Sequence, residues 1–215
     1  PIYFAITTGA ESYLGLTDFF QLEGLAYRLV PFKSQSFDGQ TGEVAVEIMN
    51  ENLMNKFKWG GMEGGEIYMN ENNRRMCMNF RNNFSRLSGE FIRLGQNEKA
   101  EKVLDRCVEV MPEKNVPYSY FMLSVAENYY KIGKFEKGNK IIGSLIDLYE
   151  NDLMYYNSLK GKDKEKVKQD SERAKYILEQ IIIMTNQRYK EAGMEKGMKD
   201  RFITLNNLLM NPSAN

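Results

Sequence analysis

Apolar residues recur at helical spacing through the middle of this chain, and the pattern occurs twice. In Asn79–Pro112, Phe84, Leu87, Ser88 and Phe91 precede Gly95, and Ala100, Leu104 and Cys107 follow it. Each set keeps one helix face apolar or small. The pattern predicts two helices with a corner at Gly95, because glycine accepts the left-handed backbone that ends a helix. Pro112 cannot continue the second helix. Ser119–Glu150 lies on the same grid: Met122, Val125, Ala126 and Tyr129, a turn at Gly133, then Gly138, Ile142 and Leu145.

The flanks are patterned differently. Ile2–Thr7 is β-branched and aromatic and predicts a strand, and Leu25–Phe32 predicts another that Pro31 ends. Thr17 is placed to cap a short helix over Asp18–Leu22. Lys33–Gly42 is a polar loop. Glu43–Phe57 places Val46, Met49, Leu53 and Phe57 at helical spacing, with a strand start at Val44 as the alternative. Lys58–Gly65 holds four glycines and the sole tryptophan, so it is irregular, and Ile67–Met69 is a candidate short strand. Asn70 or Asn72 then caps a long helix running to Leu94.

Beyond the repeats, Ile146–Leu159 continues its helix and Gly161–Lys168 is a lysine-rich connector. Ala174, Ile177, Leu178, Ile181 and Met184 make a helical stripe within Asp170–Ala192. Gly193 stops it, and Met194–Met210 predicts a last helix. Two domains are expected: a small α/β segment over 1–70 packed on the repeats, and a helical domain over 71–215 whose final helices cap the array.

The duplicated grid resembles the tetratricopeptide repeat, which sets large, small and aromatic residues, Gly and Pro over a 34-residue period. Gly95 and Gly133 lie 38 residues apart, which leaves room for a longer loop at Glu113–Val116. Leu145 is large where that pattern takes a small residue, and Glu150 replaces the closing proline. The fold class expected is mainly α, a tetratricopeptide-like helical hairpin array with a small N-terminal α/β segment. An ordinary pair of helical hairpins is the alternative.

Composition narrows the function classes. Lys plus Arg and Asp plus Glu number 29 each, so charge gives no reason to expect nucleic acid or an anionic membrane surface as partner. Mean hydropathy is −0.52, and no apolar run reaches the roughly 18 residues of a bilayer span. The absence of histidine removes Ser-His-Asp and Cys-His catalysis and the commonest metal ligand. Cys107 falls at a packing position and reads as a core hydrophobe, with a Cys77–Cys107 disulfide as the alternative in an oxidising compartment. The chain opens at Pro1 directly into strand-like sequence and reads as an excised piece of a longer protein.

Several stretches resemble the soluble carboxy-terminal region of a family of bacterial polytopic membrane proteins whose amino-terminal part is similar to protein O-mannosyltransferases. They are Tyr3–Gly9, Phe20–Pro31, Asn52–Met62, Asn72–Leu87 and Leu104–Pro112. The resemblance carries no catalytic motif into this region. It implies a location on the extracytoplasmic (periplasmic) side of a bacterial membrane. It also implies that any sugar transfer belongs to the membrane part of the parent.

Helical repeats bind with the inner face of their first helices. By register that face carries Asn82, Ser85, Gly89, Ile92 and Arg93, then Tyr120, Leu123, Glu127, Tyr130 and Lys131. The tyrosines are suited to anchor a partner. The structural alternative is that the final helices or the amino-terminal segment fill the groove. Trp59 is a candidate sugar platform, against a role as a hydrophobic plug on the repeat core. Arg74, Arg75 and Arg81 could hold a phosphate or carboxylate, or pair with local acids such as Glu66 and Glu71. No catalytic residue, cofactor or metal ligand is assigned.

We therefore expect a non-catalytic module that docks a protein or peptide and touches the membrane only through its parent. The alternative, from another class, is an accessory domain that positions a glycan or acceptor for a membrane glycosyltransferase.

Overall fold

The computed structural model describes residues 1–193. Its contacts divide the chain into two compact units, Pro1–Ile132 and a second that begins at Gly133. The fold is mainly α with a small N-terminal sheet.

The sheet of the first unit has four short strands: β1 (Tyr3–Ala5), β2 (Phe20–Leu22), β3 (Ala26–Leu29) and β4 (Glu43–Val44), in the order β1-β3-β2-β4. β3 runs antiparallel to both neighbours, with Tyr3 opposite Arg28 and Phe20 opposite Leu29, and β4 runs parallel to β2. The helix expected over Asp18–Leu22 is instead a single 3-10 turn, Thr17–Phe19, followed by β2. The reason is period: Phe20 and Leu22 are fully buried around a half-buried Gln21, which only a strand achieves. Phe20 stacks on Tyr27 at 5.4 Å, and Tyr13 meets both rings edge-on.

Helix α1 (Val46–Glu51) follows β4 and widens into a π-helical turn, Asn52–Lys56. Ile67–Met69 forms no strand; the Ile67 amide instead donates to Asn115 Oδ1 at 3.4 Å. Asn115 Nδ2 in turn donates to the carbonyls of Met62 (2.6 Å) and Gly65 (2.9 Å), which fastens the glycine-rich loop.

Helix α2 (Glu71–Arg93) starts at Asn70, whose side chain accepts from the Asn73 amide at 2.9 Å. It stops at Gly95, where φ is 72° and the Gln96 amide reaches back to the Phe91 carbonyl. That is the left-handed stop read from the sequence. Helix α3 (Asn97–Val110) packs against α2, and α4 (Met122–Lys131) packs against both. Phe84, Leu87, Phe91, Leu104, Cys107, Met122 and Val125 are fully buried in this core. Tyr129 joins α4 to α3 by donating to Asp105 at 2.8 Å. Gly133, with φ of 73°, follows α4. The compact units thus do not divide at Asn70: α2, α3 and α4 belong with the sheet.

The second unit contains α5 (Phe135–Ser158), α6 (Gly161–Lys166) and α7 (Lys168–Ile183). Ile142, Leu145 and Ile146 of α5 and Ala174, Leu178 and Ile181 of α7 are buried, and the two helices pack together. The expected lysine-rich connector is helical as α6, where Lys166 reaches Asp163 one turn back at 2.8 Å. The stripe expected to run to Ala192 leaves α-geometry after Ile183, continuing as a π-helical turn over Met184–Arg188. Gly193 has φ of 70°, as a helix stop requires. The helix expected over Met194–Met210 lies outside the described residues.

Candidate binding trough

Helices α2 and α4 lie side by side, and a short strap, Phe37–Gly42, leans on α2. Between them is a polar trough of about 420 Å³. Of the residues expected on the inner face, Asn82, Ser85, Gly89 and Arg93 of α2 and Glu127 and Lys131 of α4 line it. The strap adds Phe37, Asp38 and Gln40, and the helices add Arg86, Glu90, Ser124 and Asn128, none of which had been expected there.

Asn128 is the tie between the helices. Its Nδ2 donates to the Ser85 carbonyl and to Ser88 Oγ, each at 2.9 Å. Its Oδ1 accepts from Lys131 Nζ at 3.3 Å. Gly89 borders this tie, and a methyl group there would meet Asn128 Nδ2 at 3.8 Å, an ordinary contact.

The strap is fixed by three side chains on one face of α2, Asn82, Arg86 and Arg93. Asn82 Nδ2 donates to Gln40 Oε1 at 2.8 Å. Arg86 donates to both oxygens of Asp38, at 2.6 and 3.3 Å, and to the carbonyls of Thr41 and Gly42. The Arg93 guanidinium lies 4.1 Å from the Phe37 ring centroid while its Nε donates to Glu90 at 2.8 Å. Burial alone would raise the Asp38 carboxyl. Hydrogen bonds from the Ser36 hydroxyl and the Gln40 amide, with the Arg86 charge, outweigh it and hold the group below its usual range.

Other expected contacts lie elsewhere. Tyr130 is 2% exposed and belongs to the core, so it cannot anchor a ligand in the trough. Tyr120 is exposed at 47% and stacks on Phe121 at 4.1 Å, outside the trough lining. Ile92 and Leu123 are half-buried and also outside it. Trp59 is 6% exposed, tilted onto Phe84 at 5.3 Å and edge-on to Phe80. Its ring has no open face for a sugar and plugs the α2 core. The glycines beside it, Gly60 and Gly61, have positive φ and let the loop turn back.

The three arginines of α2 diverge. Arg74 donates to the Met69 carbonyl and Arg75 pairs with Glu71 one turn away. Arg81 is fully buried, donating to the carbonyls of Met111, Val116 and Pro117 beneath the Tyr118 ring. It pins the loop between α3 and α4 and offers no anion site. Cys77 and Cys107 are both free and buried, and Cys77 Sγ lies 3.7 Å from Met62 Sδ.

The helix side of the trough was legible because a helical face follows from register. The strap was not, because its acid and its arginine are 48 residues apart. No period marked Arg86 either: two residues after Phe84, it lies off the apolar stripe of α2.

Among the described residues no helix is long and apolar enough to cross a membrane. No curated protein and no solved structure matches the chain. A family model described as TMEM260-associated domain 2 matches residues 1–48, a span that holds the whole sheet and the strap. The N-terminal part of the chain is therefore similar to that domain, which is consistent with a domain of a membrane protein.

Proposed function

We propose that this chain is a non-catalytic interaction module that holds an extended protein or peptide segment in the trough between α2 and α4. One observation supports the reading above others. Asn82, Ser85, Arg93, Glu127 and Lys131, chosen from helical register alone, converge on one concave polar surface. Four of its six charges form opposite pairs, Arg86 with Asp38 and Arg93 with Glu90, and Glu127 and Lys131 add one of each sign. Such a surface suits a polar backbone with mixed side chains better than a highly charged polymer. On this reading α2, α3 and α4 serve as the concave part of a tetratricopeptide-like array. The module then belongs to a longer membrane protein and works on the extracytoplasmic, periplasmic side.

The test is a displayed random-peptide library panned on the chain, with Ser124→Trp and Glu127→Lys as trough variants. Enriched peptides should bind the parent chain and lose about tenfold or more in affinity with either variant. Equal binding to natively folded variants would place the peptide site elsewhere and sink the proposal.

A second reading, a domain that positions a glycan or acceptor for a membrane glycosyltransferase, draws support from Phe37. That ring, 64% exposed, stands on the rim of a polar floor, an arrangement a sugar can use. Retention on an immobilised glycan panel that Phe37→Ala abolishes would favour it over the peptide reading.

A further inference from the structure

The strap is held to its helix in an unusual way. Among the described residues, Gln35–Thr41 make no backbone-to-backbone hydrogen bond. Gly39, with φ of 71° and open space around it, turns the strap. What holds it is side chains of α2: Arg93 under the Phe37 ring, Arg86 on the Asp38 carboxylate and on the Thr41 and Gly42 carbonyls, and Asn82 on Gln40. An acidic residue received by an arginine is one of the ways a short peptide motif is recognised, and here an aromatic and an amide flank that acid on the same helix face.

We infer that the strap is an internal occupant of the α2 face, and that this face takes in trans an extended segment carrying an aromatic residue directly before a carboxylate. The inference deepens the trough reading and rests on it. The occupant's chemistry follows from the receptors. Arg86 is almost wholly buried, so a cation left there without a carboxylate is strongly disfavoured. Only a segment that brings its own acid can displace Asp38. Arg93 is held by Glu90 with its guanidinium carbon 4.1 Å from the Phe37 ring centroid, so an aromatic residue beside that acid regains the same cation–π contact. Among the described residues, each strap contact named above is to α2 and none is to α4.

The probe is a synthetic peptide with the sequence of Gln35–Thr41, QSFDGQT, and a control in which its aspartate is asparagine. Each is titrated to millimolar concentration into isotope-labelled chain, followed by amide resonances. The receivers are the parent chain and a Phe37→Ala/Asp38→Ala variant, with Asp38→Asn alone as the milder variant should the double one lose its dispersed spectrum. The expected result is shifts confined to the neighbourhood of Asn82, Arg86 and Arg93 in the variant. They should be at least about tenfold weaker in the parent chain, where the tethered strap competes, and absent with the asparagine control.

Three results overturn the inference. They are no shift on α2 in a folded variant, equal shifts in parent and variant, or equal shifts with both peptides. The outcome is separable from the trough proposal. Peptides panned on the chain that ignore Ser124→Trp and Glu127→Lys defeat that proposal without touching the α2 titration.

Discussion

Arg86 donates from Nε to Asp38 Oδ2 at 2.6 Å across 48 residues of sequence, and its side chain is 2% exposed against 30% for Asp38. This pair joins the N-terminal sheet region to the helix that forms the trough floor. It is one of several ties, with Asn83 on the Gly24 carbonyl and Trp59 on Phe84, within the compact unit Pro1–Ile132.

Arg86→Met should destabilise the first unit by about 3 kcal/mol, the low end for breaking a buried pair, because Asp38 keeps some water. Urea denaturation at neutral pH measures it. An unchanged midpoint would mean that the strap contributes nothing to the fold.

The pair also sets an acid limb. The folded-state value of Asp38 lies below its ordinary 3.8. Between the two values the unfolded chain binds more protons than the folded one. The stability from this group is therefore complete above the unfolded value and is lost as pH falls through the folded value. The gap in stability between the parent chain and Asp38→Asn should be flat above about pH 5 and close below pH 4. Urea midpoints taken from pH 3 to 7 would test it, and a gap that widens in acid would refute the sign.

Glycine substitutions should separate by backbone. Gly95→Ala, with φ of 72° and open space, should cost about 1 kcal/mol from conformation alone. Gly24→Ala should cost more, since φ is 130° and the added carbon would stand 2.7 Å from the Phe57 ring. Gly143→Ala, in the interior of α5 with nothing within 4 Å, should stabilise by up to about 1 kcal/mol. Thermal unfolding of the three variants gives the order. Gly95→Ala matching Gly143→Ala would refute the left-handed corner.

Trp59 should emit as a buried indole and shift to the red only on unfolding, with no response to soluble glycans. Trp59→Ala should cost about 3–5 kcal/mol, as large aromatic truncations in a core do. Trp59→Phe should cost far less, because the buried Nε1 has no hydrogen-bond partner to lose. A glycan-dependent change in emission would return Trp59 to the list of contact residues.

Cys77 and Cys107 should both resist a thiol reagent at pH 8 and both react in urea. Burial pushes the Cys107 thiol up to about 12 and raises that of Cys77 as well, despite the nearby Arg81 charge. Fast modification of Cys107 in the folded chain would show that the α2–α3 core opens.

What the sequence by itself determined was local. The glycine turns at Gly95 and Gly133, a cap at Asn70 or Asn72, the strands around Phe4 and Tyr27 and the apolar faces of α2 to α5 all follow from backbone conformations and periods that neighbouring residues impose. The inner face of the first helices was readable for the same reason, and six of its residues do line the trough. Tertiary structure decided the rest. Phe20–Leu22 became a strand because β3 and β4 pair with it on both sides, overriding a plausible helix start at Thr17. Register places Tyr130 on the inner face, and Trp59 is read as a hydrophobic plug or a sugar platform; neighbours in space bury both. The strap and its hold on Arg86 arise from residues far apart in sequence, and such a pairing leaves no period along the chain.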